Sequence, residues 1–314
     1  MLVFCMTKKF IISCDTCADM PRSWYEKNDV HYIIMKRILN GVEISECFDK
    51  DEEFDAFYEN LKKGEMPTTT QLNPFELKDY FEDILKKNPK GDLIHVSLSS
   101  GLSNTFNNAK SAAEEVNKHL ESIAGPKRHV YVIDSLMGTL GIGEQVEELV
   151  RMRDEGASTE DAVKSIEDFL AHQQGWVIMT DLFHLKRGGR ISGAAAAIGS
   201  VLNIRPIVHL TKKGKLAIEN KIRGNQKAVK YILSRMEKYG DKYAKENGGD
   251  FINSSIWIAR TSNSELFELV KSSVHSAYPN IKIKIGIVGS VVGTHLGGGG
   301  VAVLFHGAPR LDID

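Results

Sequence analysis

The feature that most constrains the fold is an alternation of short apolar runs with amphipathic segments in the first half of the chain. Runs of strand length and β-forming composition occupy residues 10–12, 30–35, 93–96 and 130–134. Apolar residues recur at helical spacing over residues 54–61, 75–85, 103–120 and 142–152. Strands that alternate with helices of this length predict crossover connections and a mainly parallel sheet.

The pattern changes after about residue 170. Further strands are predicted at residues 176–179, 204–210, 215–222, 256–259, 283–288 and 301–305. Residues 212–214 have the composition of a hairpin turn, and a long helix is predicted over 227–247, ended by Gly248 and Gly249. A chain of 314 residues also exceeds what one core usually fills. We therefore expect an α/β protein with an N-terminal parallel α/β domain (1–170) and a C-terminal mixed or antiparallel α/β domain (171–314).

Charge and cysteine content exclude several classes of protein. The 40 Lys and Arg against 41 Asp and Glu give a net charge of −1, so no global positive field favours nucleic acid or an anionic membrane. All four cysteines lie before residue 48, which does not resemble a disulfide-stapled secreted module. Residues 193–204, the longest weakly polar stretch, are too few to span a bilayer, and Lys8 and Lys9 follow the first apolar run, whereas a secretory signal begins with charge. We expect a soluble, cytoplasmic protein without stable membrane insertion.

A Cys-x-x-Cys motif follows the first strand. Cys14 and Cys17 have the spacing of a thiol–disulfide pair, whose first cysteine would have a lowered pKa at a helix N-terminus. The alternative is two small buried thiols beside a turn, with Asp15 capping that turn. No second pair completes a zinc site, so no metal and no cofactor is predicted.

Two hydroxyl-rich loops are candidate anion sites. Residues 97–105 lie between an apolar strand and a helix, where a parallel sheet binds its ligands, and Ser99 or Ser100 would donate to a carboxylate or phosphate there. Ordinary N-capping by Ser103 explains the same sequence equally well. Thr69 and Thr70 follow Pro67 in a second loop, where hydroxyls also satisfy backbone groups.

Basic and glycine-rich segments complete the candidates. Residues 186–190 place three cations around two glycines, which suits an oxyanion or an acidic partner but is also typical of a solvated loop. Arg223 follows the predicted hairpin. His295 precedes four glycines that superficially fit a dinucleotide fingerprint, but the strand predicted at 301–305 stands where that fingerprint requires a helix. A lone histidine is more often structural than a ligand. Serine-hydrolase, P-loop and zinc-protease motifs are absent from the sequence.

Seven of these segments, in order, resemble the DegV family of fatty-acid-binding proteins. They are Asp-Thr-Cys-Ala-Asp at 15–19, Pro-Thr-Thr-Thr-Gln at 67–71, Ser-Ser-Gly-Leu-Ser-Asn-Thr at 99–105, Val-Ile-Asp-Ser at 132–135, residues 185–192, residues 199–206 and Gly-Thr-His at 293–295. The resemblance implies a carrier without catalytic residues that buries one long-chain fatty acid between two domains. It also implies a partner, a bacterial fatty acid kinase that holds ATP and phosphorylates the carboxylate to acyl phosphate for phospholipid synthesis.

On this interpretation the acyl tail supplies most of the affinity, because each buried methylene contributes about 0.8 kcal/mol. The carboxylate needs polar partners, for which we predict Thr69, Thr70, Ser99, Ser100 and His295. Arg190 and Arg223, on loops expected to pack no core, are predicted to contact the kinase. Two alternatives remain open: a Cys-x-x-Cys thiol oxidoreductase, and a regulator that binds another small anionic ligand.

Overall fold

The computed structural model describes residues 10–46, 50–123, 127–191, 203–248 and 255–310. The strands of these ranges are β1 Phe10–Asp15, β2 Val30–Ile33, β3 Lys36–Leu39, β4 Val42–Ser45, β5 Thr68–Thr69, β6 Asp92–Ser97, β7 Val130–Asp134, β8 Gln173–Ile178, β9 Ile204–Leu210, β10 Leu216–Arg223, β11 Ile256–Arg260, β12 Ile283–Ile287 and β13 Val301–His306. The α-helices are α1 Arg22–Lys27, α2 Asp51–Lys62, α3 Pro74–Lys87, α4 Thr105–Ser122, α5 Leu140–Asp154, α6 Thr159–His172, α7 Phe183–Arg187, α8 Asn225–Met236, α9 Tyr243–Asn247, α10 Glu265–Ala277 and α11 Ser290–Leu296.

The first half contains a parallel sheet of four strands in the order β2-β1-β6-β7. The inner strands β1 and β6 are almost entirely buried, as their apolar composition requires when helices cover both faces. Parallel pairing brings the carboxyl ends of β1, β6 and β7 to one edge of the sheet. The loops that follow these strands therefore meet there, and the Leu98 amide donates to Asp15 Oδ2 at 2.7 Å.

The second half contains a mixed sheet of six strands in the order β10-β9-β8-β13-β11-β12. All its pairs are antiparallel except β11 with β12. The predicted hairpin joins β9 to β10, and Gly214 occupies the left-handed region at φ 66°. The predicted fold class, a parallel α/β sheet followed by a mixed α/β sheet, is confirmed.

Strands β4, β3 and β5 form a small antiparallel sheet in that order. Its β3–β4 hairpin turns at Asn40 and Gly41, both with positive φ, as the Asn-Gly pair predicts. The two-residue strand β5 pairs Thr69 with Arg37, which fixes the position of the threonine-rich loop.

The largest buried apolar cluster is continuous across both halves of the chain. It contains Phe10 and Ile94 from the parallel sheet together with Val177 and Leu304 from the mixed sheet. A second cluster, which includes Trp176, packs helices α8 and α10 against the mixed sheet. The sheets change between α6 and β8, near the predicted boundary at residue 170. Independent domains over 1–170 and 171–314 remain a prediction.

Several elements differ from the sequence prediction. The helix predicted over 227–247 consists of α8, a π-helical stretch Glu237–Lys242 and α9, and Gly248 ends it with φ 75°. Helices α1, α6, α7, α10 and α11 were not predicted. The most important of these is α11, whose valine- and glycine-rich composition does not favour a helix. Cys5, Cys47, residues 192–202 and residues 249–254 lie outside the described residues.

Two classes of functional element are missing from the described ranges. No helix there is both long and apolar enough to cross a bilayer. Those residues also contain no cluster of three or more His, Cys, Asp or Glu side chains placed to hold a metal ion.

Candidate ligand-binding cavity

A cavity of about 510 Å³ opens beside the carboxyl edge of the parallel sheet and is lined by both halves of the chain. Its apolar lining comprises Met35, Leu98, Leu102, Leu185, Leu216, Val291, Val292 and Leu296. Its polar lining comprises Thr69, Thr70, Gln71, Asn73, Ser103, Arg190 and His295. The volume falls in the range of small-molecule sites, and the mixture of many apolar and few polar side chains is typical of them.

Thr69 and His295 form the central polar contact of this cavity. Their side chains meet at 2.8 Å between Thr69 Oγ1 and His295 Nε2, although 226 residues separate them in sequence. Strand β5 fixes the threonine, and the last turn of α11 fixes the histidine. The ring also packs against Gly188, where any side chain would collide with Nδ1. The structure therefore brings together two residues that the sequence predicted separately.

His295 is held in its neutral form. Burial, followed by the positive charges of Arg190 and Arg187, lowers its pKa to about 4. A neutral imidazole carries one N–H and one acceptor nitrogen. When Nε2–H donates to Thr69, the threonine hydroxyl proton is left to donate to a ligand.

Arg190 lines the cavity and makes contacts there that the sequence analysis did not expect. Its side chain is half-buried, Nε donates to the Leu102 carbonyl at 3.1 Å, and Nη1 donates to the Gly188 carbonyl. Burial lowers its pKa, but a guanidinium keeps its charge at any ordinary pH. Arg190 therefore places positive charge beside the Thr69–His295 pair, whereas the sequence analysis expected it on a loop that packs no core.

The loop between β6 and α4, called the serine loop here (residues 98–104), does not place Ser99 and Ser100 at the cavity, although both were predicted to contact the carboxylate. Ser99 is fully buried, its hydroxyl donates to the Gly214 carbonyl at 2.8 Å, and it does not line the cavity. Ser100 is exposed and also outside the lining, while its amide donates to Asp134. Ser103, which the sequence suggested as an N-cap, is the serine of this loop that lines the cavity.

Of the two remaining predicted residues, Arg223 lies away from the cavity and Thr70 lines it. Arg223 is exposed at the end of β10 and is not part of the lining. Thr70 does line the cavity, next to Thr69 on the same loop and partly exposed to solvent. The polar side of the cavity is therefore accessible from outside the protein.

Cys14 and Cys17 are buried free thiols. Burial, reinforced by the charge of Asp15, raises the pKa of both thiols. That is the reverse of the lowered pKa that a thiol oxidoreductase requires. Asp15 caps the turn as predicted, since its Oδ1 accepts from the Cys17 amide at 3.1 Å. Burial raises the pKa of Asp15 to about 6.

Sequence reasoning missed the contribution of α11 to the cavity. Val291, Val292 and Leu296 line it together with His295 from one short helix. A signal existed: the three apolar residues and the histidine recur at spacings of three to five. Gly293 and Gly297 obscure this signal, because glycine disfavours a helix.

The fold and the cavity define a class of protein: an α/β protein with two main sheets and an apolar cavity that carries a small polar cluster. The model of the DegV family, whose members it describes as uncharacterised proteins, matches residues 9–307. A DegV domain-containing protein of Clostridium perfringens is 32% identical over 300 residues, which cover 96% of this chain and 98% of the relative. The chain therefore belongs to the DegV family.

Solved structures agree in fold. DegV of Bacillus subtilis, described as a fatty acid binding protein, matches with a TM-score of 0.78 and 27% identity over 96% of this chain and 99% of that chain. A stearic acid-binding protein of Eubacterium ventriosum matches with a TM-score of 0.79 and 21% identity over 95% and 98%. At that identity the second match shows the fold alone.

Proposed function

We propose that this protein binds one long-chain fatty acid in the cavity, with the acyl tail against the apolar lining and the carboxylate beside Thr69, Thr70 and His295. The observation that carries the proposal is the cavity itself, in which apolar residues surround one compact polar cluster. The fatty acid binding described for the Bacillus subtilis protein supports the same ligand class.

The polar cluster suits a carboxylate without fully neutralising it. The Thr69 hydroxyl donates to the carboxylate, backed by His295, and Arg190 supplies positive charge while two of its donor groups remain on backbone carbonyls. A buried carboxylate without such donors would be costly. Because Ser99 and Ser100 lie outside the lining, the geometry favours Ser103 as the serine that serves the headgroup.

We further propose that the protein presents the carboxylate to a fatty acid kinase, which holds ATP and forms acyl phosphate for phospholipid synthesis. Exposure of the polar side of the cavity supports this, since Gln71 and Asn73 are exposed beside the half-buried Thr70. On this proposal the chain is a carrier and not an enzyme, and it works in the bacterial cytoplasm where the kinase and ATP are found.

Mass spectrometry of an organic extract of the purified protein tests the ligand. We expect one long-chain fatty acid per protein, released on denaturation and rebound when hexadecanoate is added. Absence of any alkanoate from the extract, together with no binding of added hexadecanoate, would contradict the proposal. A water-soluble phosphate or carboxylate in its place would favour the regulator alternative.

The variant Arg223→Ala tests the proposed contact with the kinase. Arg223 is exposed and outside the cavity, so we expect the variant to keep its lipid content and to lose most of its acyl-phosphate formation with a fatty acid kinase and ATP. Lys221→Ala, on the same strand and equally exposed, is the matched control. Equal rates for the two variants would remove Arg223 from the kinase contact. Arg190→Ala is expected to lose lipid as well, because its side chain lines the cavity.

A further inference from the structure

The tip of the β9–β10 hairpin contacts the serine loop at the wall of the cavity. Ser99 Oγ donates to the Gly214 carbonyl at 2.8 Å and accepts from the Gly101 amide at 3.1 Å. Both Ser99 and Gly214 are buried. The hairpin tip thus fits between the loops that follow β6 and β7, with Leu136 on its other side.

The two backbones approach so closely that both contact positions need glycine. A Cβ on Gly101 would lie 2.6 Å from the carbonyl carbon of Gly214 and 2.7 Å from the Lys213 carbonyl oxygen. A Cβ on Gly214 would collide with Ser99 Oγ, and its φ of 66° is one that side chains rarely adopt. The obstacle at Gly101 is backbone, which cannot move aside unless the hairpin itself moves.

Cavity-lining residues stand on both sides of this contact. Leu98, Leu102 and Ser103 belong to the serine loop, and Leu216 begins β10 just after the hairpin tip. Strand β10 is the outermost strand of its sheet and pairs with β9 alone. Moving the tip away from the loop would therefore separate Leu216 from Leu98 and Leu102 and open the cavity.

We propose that Ser99, Gly101 and Gly214 form a closure contact that controls entry and exit of the ligand. Ser99 is then a positioning residue that holds the hairpin, not a headgroup ligand. The inference rests on the proposed function, because it concerns the same cavity. It goes beyond that function by assigning the exchange of ligand to one hydrogen bond and one backbone contact.

Rates of hexadecanoate binding and release test the closure contact. Gly101→Ala forces the hairpin from the loop without touching a hydroxyl. Ser99→Ala removes the bond to the Gly214 carbonyl, together with the bond from the Gly101 amide, and introduces no clash. We expect both variants to release hexadecanoate about tenfold faster and also to bind it several-fold faster, because a larger open population accelerates both steps. Gly138→Ala is the control, since its Cβ would meet only Leu98 and Leu102 at ordinary distances of 3.6 and 3.7 Å.

The two rates distinguish a closure contact from a headgroup contact at Ser99. Faster release in Ser99→Ala alone, with unchanged association, would make Ser99 a headgroup ligand and overturn the inference. Unchanged rates in both variants would also overturn it while leaving the proposed function intact. A parent protein that binds no hexadecanoate would instead refute the proposed function, and the inference with it.

Amide hydrogen exchange distinguishes local opening of the hairpin from destabilisation of the whole fold. We expect faster amide exchange in peptides covering residues 211–217 and 98–103 of both variants, with exchange in β11 unchanged. Equal acceleration in β11 would show global unfolding and would contradict a local closure contact.

Discussion

The two ends of helix α11 differ in the titratable group found there: the N-terminus contacts the buried acid Glu46, and the last turn carries the partly buried base His295. At its N-terminus, Glu46 accepts hydrogen bonds from the Ser290 amide at 2.5 Å, the Ser290 hydroxyl at 2.7 Å and the Val291 amide at 3.0 Å. At its C-terminus, His295 meets Thr69 in the ligand cavity. One end fixes the helix, and the other places a polar group in the cavity.

Burial shifts the pKa values of the groups at the two ends in opposite directions. It raises the pKa of Glu46 to about 7 despite hydrogen bonds that act to lower it, and it also raises the pKa of Asp19, whose carboxylate lies beside Glu46. At the other end burial lowers the pKa of His295 to about 4. Near neutral pH the histidine is uncharged and the acid pair holds a proton. The comparison shows that burial without a full countercharge neutralises acids and bases alike.

The largest expected effect is a pair of opposing slopes in stability against pH. Glu46 has a folded pKa above its ordinary value of 4.5, so its contribution is complete below pH 4.5 and is lost as pH rises through about 7. His295 has a folded pKa below its ordinary value of 6.5, so its contribution is present above pH 6.5 and is lost as pH falls through about 4. Between pH 5 and 7 the two contributions oppose each other, each by about 2 kcal/mol.

Urea unfolding of Glu46→Gln and His295→Asn at pH 5, 6 and 7 measures this opposition. Relative to the parent, the free energy of unfolding should rise with pH in Glu46→Gln and fall with pH in His295→Asn. The slope is the readout, because either substitution also changes contacts by a roughly constant amount. Curves parallel to that of the parent for both variants would show that neither end of α11 titrates as its burial predicts. Because Glu46 and Asp19 interact, the Glu46 slope belongs to the acid pair.

Local sequence signals predicted the strands well and the contacts poorly. The apolar runs at β1, β6 and β7 and the Asn40–Gly41 turn were read directly from residue types, since burial on both faces and positive φ each restrict composition. The pairing of Thr69 with His295 depends on β5 and α11 meeting across 226 residues, which no local pattern records.

The serine loop illustrates the same limit at the level of a single hydroxyl. Its position at the carboxyl end of β6 was predictable from the parallel sheet. The direction of the Ser99 hydroxyl was not, because its acceptor is the Gly214 carbonyl of a hairpin in the other half of the chain. Likewise, Arg190 was expected on a loop that packs no core, because the Leu102 carbonyl that it contacts lies 88 residues away in sequence.

The smallest expected effect concerns the C-terminal end of α11 alone, where His295 contacts Thr69. Thr69→Val keeps the shape of the side chain and removes the hydroxyl that lies between His295 and the proposed carboxylate. One lost hydrogen bond to a charged group corresponds to about 1.5 kcal/mol, so hexadecanoate should bind roughly tenfold more weakly. Thr68→Val is the matched control: it belongs to the same strand, but its side chain is exposed and outside the lining. Isothermal titration of both variants would decide the matter, because equal affinities would show that the hydroxyl of Thr69 does not hold the headgroup.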